Sequence, residues 1–373
     1  MNDPKMNLTE REITEKKENE EQEIISKSSE QSTIRKIISN SFLHMAIKKG
    51  IFYFVVFFIA ISLAFLIPRI VPGNLFEYFY DARPAGTSPE AWAQLIAGLE
   101  EYLGLNYPLD IQYFNFLRDF FLEFKLGYSV IYDLEPVANL VLRALPYTMM
   151  LVIPVLIISF FVGNWIGART GYTNSKKDKV FYYIFMVLQV APFFWMAYVF
   201  VDIFVLKLHW FPWLSPGGVP NWAWDWDAIS LIFDNFWLPF IILLITNIGG
   251  WATGAHALMT YEKAEDYISY GRKLGFRDKT LRKYAYRNSI LPQFTGLNLR
   301  FNGLIGATLI TEIIFRFPGL GYMMVDAFKK FDYALVIGTF IVTILVVVVG
   351  NYIIDMCYGI LDPRIRIGGK GEA

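Results

Sequence analysis

Few side chains in this sequence are suited to chemistry, and one stretch holds a large share of them. Tyr261–Pro292, YEKAEDYISYGRKLGFRDKTLRKYAYRNSILP, places eight Lys/Arg and four Asp/Glu between two long apolar runs. Tyr267, Tyr270, Gly271 and Leu274 recur at helical spacing, with Ser269, Arg272 and Lys273 on the other side. Gly275 ends that pattern, Asp278 is placed to cap a second short helix, and Pro292 closes the segment. Apolar anchors beside fixed cations suit the docking of a partner. The same pattern also fits an amphipathic helix resting on lipid headgroups.

Bond-breaking chemistry finds no comparable cluster. The three histidines, His44, His209 and His256, are scattered, and His256 has no acidic residue within a helical turn. Cys357 is the only cysteine, which excludes an intramolecular disulfide and a multi-Cys metal site. A membrane-embedded enzyme would need a His/Asp/Glu or Ser/His constellation, and none is present. Nor is there a phosphate-cradling loop: Gly369-Lys370 has Arg364 where the first glycine belongs, and Gly371 follows the lysine. Catalytic, cofactor-binding and metal-ligating residues are therefore all expected to be none. Any ATP must be bound by another chain.

The elements that position the charged stretch are apolar. Of 373 residues, 55% are hydrophobic and 18% charged, with formal net charge zero, which indicates an all-α polytopic membrane protein. A span needs about 20 apolar residues. Gly50–Ile67, Pro146–Ala168, Val180–Val201, Asn235–Ala255 and Tyr333–Ile354 each run without a charge. A sixth, about Gln293–Phe315, is interrupted by Arg300 and Glu312 and suits the inside of a bundle. Met1–Asn40 is polar and charged and is expected to be disordered. With a cytoplasmic N-terminus, the inner loops carry 4, 8 and 3 Lys/Arg and the outer segments 5, 1 and 3, although the outer ones are about twice as long. Both termini and Tyr261–Pro292 are then cytoplasmic. The expected organisation is a tail over 1–40, a first span over 41–68, an extracytoplasmic helical insertion over 69–145, a five-helix core over 146–358 containing the loop 259–292, and a tail over 359–373.

In the insertion, Ser88-Pro89-Glu90 is a helix start and Leu109–Leu126 a second amphipathic helix. The next outer loop holds five tryptophans from Trp210 to Trp226, readable as an interfacial belt or as a stacking platform for sugars or peptides. Thr295, Asn298 and Asn302 are expected on one face of the fifth span, near Arg300. They could line a polar route for a bulky solute or make interhelical hydrogen bonds. Glu312 lies about three turns from Arg300, too far along one helix for a direct pair. Asp202 and Asp355 are each placed to reach water at a span end, and Gln189 and Asn247 to serve helix packing.

An ordered series of short motifs carries a family resemblance. Phe65-Leu66-Ile67-Pro68-Arg69-Ile70-Val71-Pro72-Gly73-Asn74, Leu103-Gly104-Leu105-Asn106-Tyr107-Pro108-Leu109, Gly127-Tyr128-Ser129, Pro136-Val137 and Leu145-Pro146-Tyr147-Thr148 come first. Asp266-Tyr267-Ile268, Gly275, Arg287-Asn288, Leu291-Pro292, Glu312-Ile313-Ile314-Phe315, Pro318-Gly319-Leu320-Gly321, Asp332-Tyr333 and Asp362-Pro363-Arg364 follow. From about Phe42 to Ile367 the chain resembles the first of the two permeases of oligopeptide/dipeptide-type ATP-binding-cassette importers. It departs from that pattern at Ser269-Tyr270-Gly271, where the family has Glu-Ala-Ala, and at Ala334, where many relatives have Pro.

The resemblance implies a type I importer-like permease of six transmembrane helices in the cell membrane. It implies a second homologous permease, two ATPase subunits that bind the ATP, an extracytoplasmic solute-binding protein and surrounding lipid as partners, and no nucleic acid. The ATPase-coupling residues it implies are Glu265, Asp266, Tyr267, Tyr270, Gly271, Arg272, Lys273, Leu274 and Gly275, with the helix spanning Glu265–Leu274. Relatives in this family carry oligopeptides, dipeptides, nickel chelates or oligosaccharides. The alternative is a self-contained secondary transporter or channel, which would show broken helices and charged midplane sites within one chain.

Overall fold

A computed structural model describes residues 42–66, 88–102, 106–129, 132, 134–173, 175–212, 226–330 and 332–361. The regular elements among them are helices: α1 (Phe42–Leu66), α2 (Pro89–Tyr102), α3 (Leu109–Glu123), α4 (Val137–Tyr172), α5 (Lys176–Val190) and α6 (Phe193–Phe200), the last continued by a π-helical turn Val201–Lys207. Then come α7 (Trp226–Ala264), α8 (Asp266–Lys273), α9 (Asp278–Thr295), α10 (Leu297–Phe315), α11 (Leu320–Lys329) and α12 (Tyr333–Leu361). The polar tail 1–40, residues 213–225 of the tryptophan-rich loop and the motif Asp362-Pro363-Arg364 lie outside the described residues.

Four helices, α1, α4, α7 and α12, are long and apolar enough to cross a membrane alone. Two bent pairs, α5 with α6 at 101° and α10 with α11 at 63°, are together long and apolar enough for one further crossing each, which brings the candidate spans from four to six. The first of these corrects the expectation of one helix over Val180–Val201. Pro192 has no N–H to continue the ladder and biases the residue before it to extended backbone, and Ala191 sits at φ −64°, ψ 135°. The second corrects Gln293–Phe315: Gln293 belongs to α9, and α10 starts at Leu297. Broken spans alone therefore do not separate a secondary transporter from a permease subunit here.

The chain divides into two compact units, Met1–Val55 with Tyr352–Ala373, and Val56–Asn351. In the first, Asp355 Oδ2 lies 2.8 Å from Lys49 Nζ and accepts the Tyr53 hydroxyl at 3.0 Å. Asp355 is thus paired rather than left to water.

In the second unit, α7 is the hub. Gly163, Gly167 and Gly171 form a four-residue repeat along α4 that lets α7 come close. A Cβ on Gly163 would stand 2.5 Å from Trp251 Cβ, one on Gly167 2.7 Å from Ala255 Cβ, and one on Gly171 2.6 Å from His256 O. Another side of α7 meets α5, where Gln189 Nε2 donates to Thr253 Oγ1 at 2.6 Å, so Gln189 serves helix packing. Asn247 bonds its own helix at Leu243 O. His256 Nδ1 and Thr170 Oγ1 are 3.0 Å apart, and its ring stacks on Tyr182 at 4.3 Å. Asp202 pairs with Lys207 at 2.6 Å on an exposed edge.

Helix α2 starts at the expected place, with Ser88 Oγ accepting the Ala91 N–H at 3.2 Å. Helix α3 ends at Glu123, three residues short of the expected Leu126, where Phe124 caps it at φ 51°. Its Phe116 stacks on Phe65 at 5.1 Å, and its Phe120 packs on Phe57 at 5.9 Å.

Candidate coupling site

The charged stretch begins inside α7, which continues to Ala264 before Glu265 interrupts it with extended backbone at φ −64°, ψ 147°. Helix α8 then covers Asp266–Lys273, one residue shorter at each end than expected. Asp266 in its first turn and Arg272 and Lys273 in its last complement the helix dipole.

Only one side of α8 is held by the body of the protein. Ile268, 1% exposed, joins a buried cluster of Ala168, Tyr172, Met259, Leu281 and Ala285. Gly271 is buried beside it, and a Cβ there would stand 2.8 Å from Leu281 Cδ2 and 3.3 Å from the Phe276 ring. The opposite side is left open: Tyr267 is 39% exposed, Tyr270 65% and Leu274 58%. Ile268 was absent from the expected anchor set. It is the only aliphatic residue within Asp266–Lys273, and that was the available signal.

A Schellman turn ends the helix. Phe276 N–H donates to Gly271 O and Gly275 N–H to Arg272 O, each at 3.1 Å, with Gly275 at φ 81°. The chain then returns along α9, an 18-residue helix rather than the short one expected. Pro292 sits inside α9 instead of closing the segment. Asp278 is the first residue of α9 and makes no cap; it accepts the Tyr172 hydroxyl at 2.7 Å. Arg272 stands 3.9 Å from the same carboxylate, and Lys263 Nζ donates to Tyr172 O at 2.6 Å.

A second set of bonds fixes the root of α8. The Tyr267 hydroxyl donates to Glu262 Oε2 at 2.5 Å, and Asn288 Nδ2 reaches both Tyr267 Oη at 3.2 Å and Glu262 Oε2 at 3.4 Å. Burial, followed by this bond to a carboxylate, pushes the Tyr267 phenol up to about 12. Among the coupling residues named from the sequence, Ile268's neighbour Tyr267 is thus both surface and tether, while Glu265 serves as the break before the helix. Glu262 and Asn288 complete the tether.

The expected route residues are not brought to one face of one helix. Thr295 ends α9, with its hydroxyl bonded to Pro292 O at 2.6 Å, while Asn298 and Asn302 lie on α10. Asn302 Oδ1 accepts from Asn351 Nδ2 of α12 at 2.8 Å, the interhelical bond anticipated as the alternative. Arg300 Nη2 donates to Gly250 O at 2.7 Å and its guanidinium lies 5.0 Å from the Trp251 ring centroid. Glu312, 0% exposed, does not pair with it. Its Oε2 accepts the Gly321 N–H at 2.7 Å, and Thr148 Oγ1 accepts the Leu320 N–H at 2.9 Å. Motifs from distant parts of the sequence thus meet at the start of α11. A second such meeting joins Ser129 Oγ to Asp332 Oδ2 at 2.5 Å, while Asp332 Oδ1 accepts the Leu335 N–H at the start of α12. Among the described residues, no group of three or more His, Cys, Asp or Glu is placed to hold a metal ion.

Comparison with known proteins agrees with this architecture. Residues 163–367 match the family described as "Binding-protein-dependent transport system inner membrane component". The oligopeptide transport system permease protein AppB of Bacillus subtilis is 29% identical over 82% of this chain and 93% of its own length. A Brucella abortus protein named as a peptide transport system permease is 31% identical over 83% of this chain and 95% of its own. A Sinorhizobium fredii protein named as a peptide ABC transporter permease is 28% identical over 81% and 92%. With the family's match covering α8 and its anchoring cluster as well as the bent α10–α11 pair, the chain belongs to the inner-membrane components of binding-protein-dependent transport systems.

Proposed function

We propose that this chain is one permease of an ATP-driven importer for peptides or similar bulky solutes, and that α8 receives the motion of a separate ATPase. The observation that carries the coupling role is the two-sidedness of α8. Ile268 and Gly271 lock it to α4, α7 and α9, while Tyr270 and Leu274 stay exposed beside Arg272 and Lys273. A lever needs this arrangement, rigid toward the body it moves and open toward the body that pushes it. The peptide assignment is supported by the names of the relatives. In this reading the chain lies in the cell membrane with both termini cytoplasmic. It pairs with a second homologous permease and works with two ATPase subunits, which bind the ATP, and an extracytoplasmic solute-binding protein. This chain itself binds no cofactor.

Site-directed crosslinking tests the contact. In a Cys357→Ser background, Tyr270→Cys is expected to form a disulfide with single cysteines placed on the surface of the ATPase subunit. Arg143→Cys, on a helix end remote in sequence from α8, should not. Absence of any Tyr270→Cys crosslink across a full scan of that surface would remove α8 as the contact.

A further inference from the structure

Helix α10 carries a cation, Arg300, for which the described residues supply no counter-charge. Arg300 sits one turn into the helix, clamped between the Gly250 carbonyl and the Trp251 ring. Gly250 makes the clamp possible, because a Cβ there would fall 2.9 Å from Arg300 Cζ. A guanidinium has five N–H donors, and among the described residues no carboxylate pairs with this one. Glu312 is taken up by the start of α11.

Next to the clamp, α10 is open. Leu299 is 80% exposed, and nothing lies within 4 Å of a Cβ built on Gly303 or Gly306. Ionisable groups within a membrane span face a cavity or a partner. The planar fork of arginine matches a carboxylate in bidentate fashion.

We propose that Arg300 is a carboxylate-binding residue beside the solute route, taking the carboxylate of an anionic solute, such as a peptide C-terminus, as it passes the open side of α10. This rests on the reading of the chain as a peptide permease. A passing solute fits better than a fixed acid on another subunit because the clamp already half-satisfies the guanidinium. One carbonyl and one aromatic face make the cation tolerable while no anion is bound. The remaining donors stay available for an intermittent partner.

The test uses the complete importer in proteoliposomes, with its solute-binding protein saturated in turn by one peptide and by the same peptide amidated at its C-terminus. The wild type is expected to take up the free acid faster by about tenfold, the worth of one charge-assisted contact. Arg300→Gln should bring that ratio close to one, and Arg300→Lys, which keeps the charge without the fork, should fall between. An unchanged ratio in Arg300→Gln, or equal wild-type uptake of acid and amide, overturns the carboxylate role and leaves the peptide reading standing. Loss of the second permease from the purified Arg300→Gln complex overturns it too, by assigning the residue to a subunit contact. Uptake of neither peptide by the wild type overturns the peptide reading and this proposal together.

Discussion

Between α10 and α11 the chain turns through Arg316 at φ 54°, and between α8 and α9 it turns through Gly275 at φ 81°. At the first corner the polar and aromatic groups point inward. Glu312, Phe317 and Leu320 are at most 1% exposed, and Glu312 and Thr148 bind backbone N–H groups at the start of α11. At the second corner the inner face is apolar and small, Ile268 and Gly271, and the larger side chains Tyr270 and Leu274 are left outside. The first corner therefore holds an angle within the membrane part of the protein. The second presents a surface on a rigid root. Similar local geometry serves opposite purposes, decided by which side the large residues occupy.

Substitutions at the two corners should separate these roles. The largest effect is expected from Glu312→Ala, which strands the Gly321 N–H and empties a buried volume. A loss of about 3 kcal/mol of stability is expected, read as a lowered melting temperature of the purified complex. Glu312→Gln keeps an acceptor and the volume and should cost far less; if the two variants melt alike, the capping account of this corner is wrong. Gly271→Val comes next. Its side chain would press on Leu281 and Phe276, tilting α8 at a cost of about 1–3 kcal/mol, and uptake should fall with it.

Gly275→Ala is smaller. Nothing lies within 4 Å of the added Cβ, so the cost is backbone strain alone, about 1 kcal/mol. A much larger loss would reveal a contact at this turn. The smallest effect belongs to Tyr267. Its phenol is raised from 10.0 to about 12, so the protonated form is favoured by the fold. The stability it contributes is complete below pH 10 and disappears as pH rises through about 12. Burial first and the Glu262 bond second raise the phenol, so Tyr267→Phe should flatten that alkaline limb of the stability profile, and a profile identical to wild type would exclude this phenol as its source.

Much of this was legible in the sequence where local chemistry decides the outcome. Gly275 ended the helical period because only a left-handed residue makes that turn, and Ser88-Pro89-Glu90 opened a helix. The four unbroken spans announced themselves by length. What the sequence hid were features settled by tertiary neighbours. Pro192 breaks a span while Pro146, Pro154 and Pro292 lie within helices, so the presence of a proline alone does not say where a helix ends. The partner of Glu312 is a backbone N–H across a bend, which residue spacing along one helix could not reveal. Ile268 is smaller than the tyrosines around it and yet is the buried residue, because burial follows the side of the helix rather than the size of the side chain.

The central claim is that the outer face of α8 transmits work without holding the fold. Its most direct test is the double substitution Tyr270→Ser with Leu274→Ser in the reconstituted importer, following uptake, ATP hydrolysis and melting temperature together. Both residues are exposed, so the melting temperature should stay within a degree or so of wild type, while uptake per ATP hydrolysed falls to background. Unchanged uptake per ATP in that variant would contradict the account.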